Sequence, residues 1–317
     1  MSLSKEYLLA LKTLPGIGTQ KLLKIGYYIQ DNNIAIHSVE DLVPVLKNLK
    51  IKVNKSDVDA DTLKNAMSNA MTTIAFNERE GIGITTYFDE DFPSMLKDAI
   101  NDEGKLDPPM ILFYRGDLSI TRMPQLAVIG TREVTGFGEK AGEFLVSQFC
   151  KQGFCIVSGL AKGCDTVGHR AALSVGGKTI AILAHGLDTI YPQENEGLAQ
   201  EIIEKGGLLM SEYPIGIGVN RYGLVARDRL QSGLAKATLV IQTGEHGGTM
   251  HASVTTLLAN KPLYVVKFSK EEQNLHEKSL GNALLVKKGA KYISGSDNID
   301  EIASYILNFK KPVDSLF

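Results

Sequence analysis

From residue 124 onward the chain alternates two textures. The runs QLAVIG, FCIVSG, TIAILA, LLMSEY, ATLVIQ and LYVVKF are almost continuously apolar and rich in β-branched residues. Between them, apolar positions recur every three to four residues over 136–152, 164–176, 194–205, 224–235 and 248–260. Short all-apolar runs predict strands buried on both faces, and the intervening stretches predict helices that cover them. The tail pattern NIDEIASYILNF predicts a closing amphipathic helix. The expected fold class is α/β, an extended Rossmann-like, doubly wound, mostly parallel sheet over 124–310.

The first 80 residues carry helical spacing without strands. KEYLLALKTL and TQKLLKIGYYIQ are separated by PGIG, and VEDLVPVLKNL and ADTLKNAMSNAMTTIAFNERE follow. These predict a small helical domain over 1–80. Residues 81–123 hold short strand-like runs punctuated by Pro and Gly, and are expected to link that domain to the sheet and join it.

Composition narrows the classes. The 317 residues and 44% hydrophobic content suffice for one sizeable core. A net charge of −2 gives no global sign of nucleic-acid binding, although a local basic cleft remains compatible with it. No apolar run has the length of a bilayer span, and the N-terminus lacks the shape of a cleavable signal, so a cytoplasmic protein is expected. Cys150, Cys155 and Cys164 form no CxxC pair and are read as reduced. The six histidines make no ligand cluster with them, so neither a metal nor a cofactor is expected.

Candidate chemistry gathers where strands end, because ligands of open α/β sheets bind beyond the carboxyl ends of strands. Gly130 closes one strand. Thr131 then offers a hydroxyl, and Arg132 a planar fork suited to phosphate unless Glu133 or Glu139 pairs with it. Ser158 and Gly159 follow another strand, Lys162 and Gly163 continue the loop, and Asp165 is read as an N-cap of the next helix. His169, one turn on, reads as a packed side chain. Arg227 and Arg229 flank Asp228, either as a self-satisfied cluster or with one arginine aimed at a phosphate. Gly247, Gly248 and Thr249 open a helix whose N-terminus an anion could approach closely. No Walker lysine follows, and Ser158 lacks a nucleophile-elbow context.

Together these stretches resemble the DprA (Smf) DNA-processing family, from about residue 93 to 290. The family pattern G-[ST]-R-x-x-[ST]-x-[YF]-G appears as Gly130, Thr131, Arg132, Thr135, Phe137 and Gly138. S-G-x-A-x-G-x-D-x-x-x-H-x-x-A-L runs from Ser158 and Gly159 through Ala161, Gly163, Asp165 and His169 to Ala172 and Leu173. G-x-x-x-x-Y-P spans Gly186 to Pro192, and S-E is Ser211 and Glu212. R-N-R-x-x-x-G-L is Arg227, Asp228, Arg229, Gly233 and Leu234. The late G-N-x-L-[IL]-x-x-G-A is Gly281, Asn282, Leu284, Leu285, Gly289 and Ala290.

The resemblance implies a Rossmann-type protein that is not an enzyme. It would bind single-stranded DNA, protect strands entering during natural transformation, assist loading of a RecA-type recombinase, and form a homodimer. LPGIGTQKL resembles the hairpin of a helix-hairpin-helix module, and reads equally as a turn inside a small SAM-like helical domain. Three departures stand out: Asp228 replaces the family asparagine, VKFSKEEQ adds a charged loop, and the chain ends without the winged-helix domain of many members. Two other functions use the same cleft. A phosphoribohydrolase of the LOG type would need a glutamate shortly after Gly248 and Thr249, where Met250, His251 and Ala252 stand. A sensor of a small nucleotide would need only the glycine-rich cleft.

Overall fold

A computed structural model of the chain describes residues 3–53 and 56–310, without the side chains of 273–275. Residues 1, 2, 54 and 55 of the expected helical region therefore lie outside the described residues. That region forms α1 (Lys5–Thr13), α2 (Thr19–Asp31), α3 (Leu42–Asn48) and α4 (Ala60–Arg79), with a short antiparallel pair, β1 (Lys52–Val53) and β2 (Ser56–Asp57). Gly16, at φ +78°, turns the chain between α1 and α2. Asp59 caps α4 by accepting from the Thr62 amide at 2.6 Å. Leu63, Ala66, Ala70 and Ile74 line one buried face of α4, which packs against α1.

The rest of the chain builds one nine-stranded sheet. Its elements are β3 (Gly83–Thr86), β4 (Ile111–Gly116), β5 (Gln125–Ile129), α5 (Gly136–Lys151), β6 (Cys155–Ser158) and α6 (Cys164–Ser174). Then come β7 (Thr179–Leu183), α7 (Glu196–Glu204), β8 (Leu208–Ser211), α8 (Arg221–Leu234), β9 (Ala237–Val240) and α9 (Gly248–Leu258). The chain continues through β10 (Leu263–Val266), α10 (Lys270–Leu275), α11 (Leu280–Lys287), β11 (Lys291–Ile293) and α12 (Ile299–Asn308). The strand order is β11-β10-β9-β5-β6-β7-β8-β4-β3. The seven strands from β11 to β8 are parallel, and the expected doubly wound α/β sheet is present. At one edge β4 runs antiparallel to β8, and β3 antiparallel to β4, an orientation the apolar runs did not reveal. Helices α10 and α11 were also not expected. Ser269 and Glu272 form a capping box that starts α10 inside the added charged loop.

Strand periodicity sorts the core into two sides. In β6, Cys155 and Val157 join one apolar cluster, while Ile156 between them joins the opposite one. In β10, Leu263 and Val265 pack with Ala252 and Leu285, whereas Tyr264 and Val266 pack toward Leu145 and Ile306. The three cysteines are free, Cys155 and Cys164 buried and Cys150 half-buried. No helix among the described residues is long and apolar enough to cross a membrane.

From β5 the chain winds through β6 and β7 to β8 on one side, then crosses back so that β9, β10 and β11 extend the other side. The winding direction thus reverses between β5 and β9. A crevice forms beyond their carboxyl ends because the following loops diverge there.

Candidate functional site

A cavity of about 430 Å³ occupies that crevice. The loop after β5 contributes Gly130, Thr131 and Arg132, and the loop after β9 contributes Thr243, Gly244, Gly247, Gly248 and Thr249. Leu224, Arg227, Asp228 and Gln231 of α8 form a side wall. Each loop is held from behind. The Thr131 amide donates to the Gln242 carbonyl at 2.7 Å, and the Cys164 amide donates to the Thr131 carbonyl at 3.1 Å. This close approach needs Gly163, whose φ is +74° and where a Cβ would stand 2.3 Å from the Thr131 oxygen.

The buried Gln242 side chain accepts from the Thr135 amide and hydroxyl, each at 3.0 Å, and donates to Ser279. Asn282 accepts from the Thr243 amide at 2.9 Å and donates to the carbonyls of Ile241 and Val266. Sequence reading did not assign Gln242 a role. Its position two residues past β9 carried no pattern, whereas Asn282 lay inside a recognised motif.

The start of α9 differs from those of α5 and α8. Thr135 caps α5 and Asn220 caps α8, each accepting an amide of the first turn. The residue capping α9 is Gly247, at φ +118°, which supplies no side-chain cap. The first amides of α9 are therefore left for a ligand at a cavity wall, with the positive end of the helix dipole behind them.

Charge is arranged in two layers around this opening. Arg132 is exposed, and it makes no side-chain hydrogen bond or ion pair within the described residues. The expected alternative, a pairing with Glu133 or Glu139, does not occur. Arg227 is buried: it donates to the carbonyls of Gly159 at 2.8 Å and Ile182 at 3.0 Å, with its Nε 3.4 Å from Asp228. Its guanidinium thus positions the wall and only partly offsets the charge of Asp228. Asp165 is buried beneath and accepts from the amides of Gly159 at 3.0 Å and Ala161 at 3.3 Å. It folds the loop back on itself and does not cap α6, whose N-cap is Gly163. Burial raises its pKa against the pull of Arg227. The packed reading of His169 holds: the ring is wholly buried with Nδ1 2.7 Å from the Thr179 hydroxyl, and burial lowers its pKa to about 3.

Of the residues expected to hold phosphate, the cavity brings together Gly130, Thr131, Arg132, Arg227, Gly247, Gly248 and Thr249. Gly159 and Lys162 line a small adjoining recess shared with Arg132 and Arg227, and Lys162 is ion-paired with Glu194. Gly163 acts behind the wall. Ser158 is not at the surface, since its hydroxyl is buried and donates to the Val128 carbonyl at 2.6 Å. Arg229 points away from the cavity. It makes a two-pronged pair with Glu212 at 2.6 and 2.9 Å, and a third contact with Asp107 at 2.8 Å. These partners satisfy its fork, so it cannot offer that fork to a phosphate. Arg221, His246 and Lys278 also line the cavity and were not anticipated, because no motif marked them.

The model of the DNA recombination-mediator protein A family matches residues 83–304. The chain belongs to this family. The family region begins at β3 and ends in α12, so it covers the whole sheet. The DNA processing protein DprA of Bacillus subtilis is 29% identical over 276 residues, 85% of this chain and 88% of that protein. Protein Smf of Escherichia coli and Protein Smf of Synechocystis, each 33% identical, are longer, the matched region being 53% of the first and 51% of the second. The X-ray structure of DprA from Streptococcus pneumoniae superposes with a TM-score of 0.76 at 25% identity, covering 98% of this chain and 99% of that one. A structure describing the single-stranded DNA binding mode of DNA processing protein A from Helicobacter pylori matches at TM-score 0.59 and 30% identity, covering 71% and 95%.

Proposed function

We propose that the chain binds the sugar–phosphate backbone of single-stranded DNA in the cleft between β5 and β9. The observation that carries this reading is the juxtaposition of Arg132, unpaired among the described residues, with the side-chain-free cap of α9 on one cavity. An arginine fork and a row of free amides both recognise phosphate oxygens, and contacts to phosphate carry no sequence information. The family membership and the H. pylori relative support the same ligand. In this reading Gly130, Thr131, Arg132, Gly247, Gly248 and Thr249 touch phosphate. Gly159, Lys162, Gly163 and Arg227 shape the walls. The protein acts as a homodimer that shields incoming strands and hands them to a RecA-type recombinase.

The reading includes no catalysis. Nucleoside-monophosphate hydrolysis lacks a carboxylate where Met250, His251 and Ala252 follow the glycines. Purified protein is expected to release no free base from AMP or GMP.

The test is Arg132→Ala in a salt titration of oligonucleotide binding. Each neutralised phosphate of a single strand contributes roughly −0.7 to the slope of log K against log salt. The variant should bind all sequences more weakly and flatten the slope by about that amount. Wild-type affinity and slope in the variant would remove Arg132 from the site. A wild type with no salt-dependent affinity for oligonucleotides, but with affinity for a free nucleotide, would make the cleft a small-nucleotide sensor.

A further inference from the structure

Helix α8 separates the cleft from a second cavity of about 590 Å³. The spacing along the helix explains the division. Leu224, Arg227 and Gln231 line only the first cavity, and Tyr222, Ala226 and Arg229 line only the second. Arg221, Val225 and Asp228, at i, i+4 and i+7, line both and form the ridge between them.

The two cavities differ in charge. On the second, three carboxylates, Asp102, Asp107 and Asp228, face two guanidinium groups, Arg221 and Arg229. Arg229 is already committed to Glu212 and Asp107. A phosphate would meet net repulsion there. The wall nearest the ridge carries Tyr222, which is 87% exposed, and Val225, also exposed. His251 and Thr255 of α9 stand on the cavity as well. An exposed aromatic ring beside hydrogen-bond acceptors suits a flat, neutral group that carries donors.

We propose that the second cavity takes a nucleobase bearing an exocyclic amino group, stacked on Tyr222, from a strand whose phosphate lies in the first cavity. This rests on the single-stranded DNA reading above. It assigns the base side of the strand to the opposite face of α8, and gives backbone binding a modest preference among bases. At the exocyclic position a carboxylate accepts from the amino group of cytosine but meets an acceptor, O4, in uracil and thymine, whose one base donor is N3–H.

Fluorescence anisotropy with labelled 12-mers of deoxycytidine and deoxyuridine at pH 8 tests it. Wild type should bind the cytosine strand about five- to tenfold more tightly. Tyr222→Ala should weaken binding to both strands by at least about fivefold, through lost stacking, and reduce the preference. Tyr222→Phe should restore both values, because the ring and not the hydroxyl does the stacking. Equal binding of the two strands by wild type, or wild-type behaviour in Tyr222→Ala, would overturn the base pocket while leaving backbone binding in place. Failure to bind either strand would overturn both.

Discussion

At Asp228 a carboxylate stands on the wall of a cavity proposed to hold phosphate. Burial pushes its pKa up to about 6, with Arg227 and Arg132 opposing that rise and Asp165 adding to it. The folded-state value lies above the ordinary carboxylate value of 3.8. The fold therefore holds this proton more tightly than the unfolded chain does. That contribution to stability is complete below about pH 4 and is lost as pH rises through about 6. Asp228→Asn removes the titration. At pH 8 the variant should be more stable by about 1–3 kcal/mol in urea unfolding, and the difference should close near pH 4. The same charge opposes a phosphate, so wild-type affinity for an oligonucleotide should rise between pH 8 and pH 5.5 more than that of the variant. Equal pH profiles for the two proteins would show that Asp228 stays neutralised by Arg227 throughout. A steeper profile in the wild type would make Asp228 a group that couples ligand binding to pH.

At the scale of elements, the cleft depends on loops that touch each other more closely than side chains permit. Gly163 shows this best. An alanine there would combine a left-handed φ of +74° with a Cβ 2.3 Å from the Thr131 carbonyl. The backbone term alone costs about 1–2 kcal/mol, and the contact forces the Thr131–Arg132 loop outward. Gly163→Ala should lower the melting temperature and weaken oligonucleotide binding, although residue 163 does not line the cavity. Gly136→Ala is the control, since a Cβ there meets nothing within 4 Å. Wild-type affinity in a folded Gly163→Ala protein would mean that the loop's position does not matter. The same contrast explains what was legible in the sequence. Apolar runs and helical spacing placed six of the seven parallel strands, because burial on both faces forces such runs; the short edge strand β11, with Lys291 and Tyr292 exposed, carries no such run. Glycines at strand ends placed the β5 and β9 loops of the cleft. The sequence did not separate arginines that share a motif, because Arg227 and Arg229 differ only in which way a helix turns them and in partners distant along the chain, Gly159 and Ile182 against Glu212 and Asp107. Ser158 shows the same ambiguity: a strand-end serine reads alike whether its hydroxyl faces a ligand or, as here, donates to the neighbouring Val128 carbonyl.

At the scale of the whole molecule, the helical region and the sheet share one core. A single apolar cluster runs from Leu8 and Leu11 of α1 through Leu63 and Ile74 of α4 to Phe113 of β4, and on to Ile180, Ile182 and Met210 in the sheet. Asn77 of α4, fully buried, crosses the same boundary by accepting from the Ile215 amide at 3.2 Å. Each fully buried large apolar side chain contributes about 1.5–3 kcal/mol. Separating the two parts would expose several of them at once, which exceeds what a flexible linker could offset. The helical region should therefore unfold together with the sheet. The chain has 11 tyrosines and no tryptophan. Only Tyr7, Tyr27, Tyr28 and Tyr87 lie in or against the helical part, and the other seven, from Tyr114 to Tyr305, belong to the sheet region, so tyrosine fluorescence weights the sheet while far-UV circular dichroism reports the whole. In urea the two signals should trace one coincident transition with the same midpoint. A circular-dichroism change at clearly lower urea than the fluorescence transition would mean that the helices detach first and that the shared cluster is not what holds them. In the expected case, a cavity-making substitution in the helices, such as Leu63→Ala, should lower the common midpoint for both signals through a loss of about 2–5 kcal/mol. It should also destabilise the cleft beyond the carboxyl ends of β5 and β9, which unfolds with the sheet.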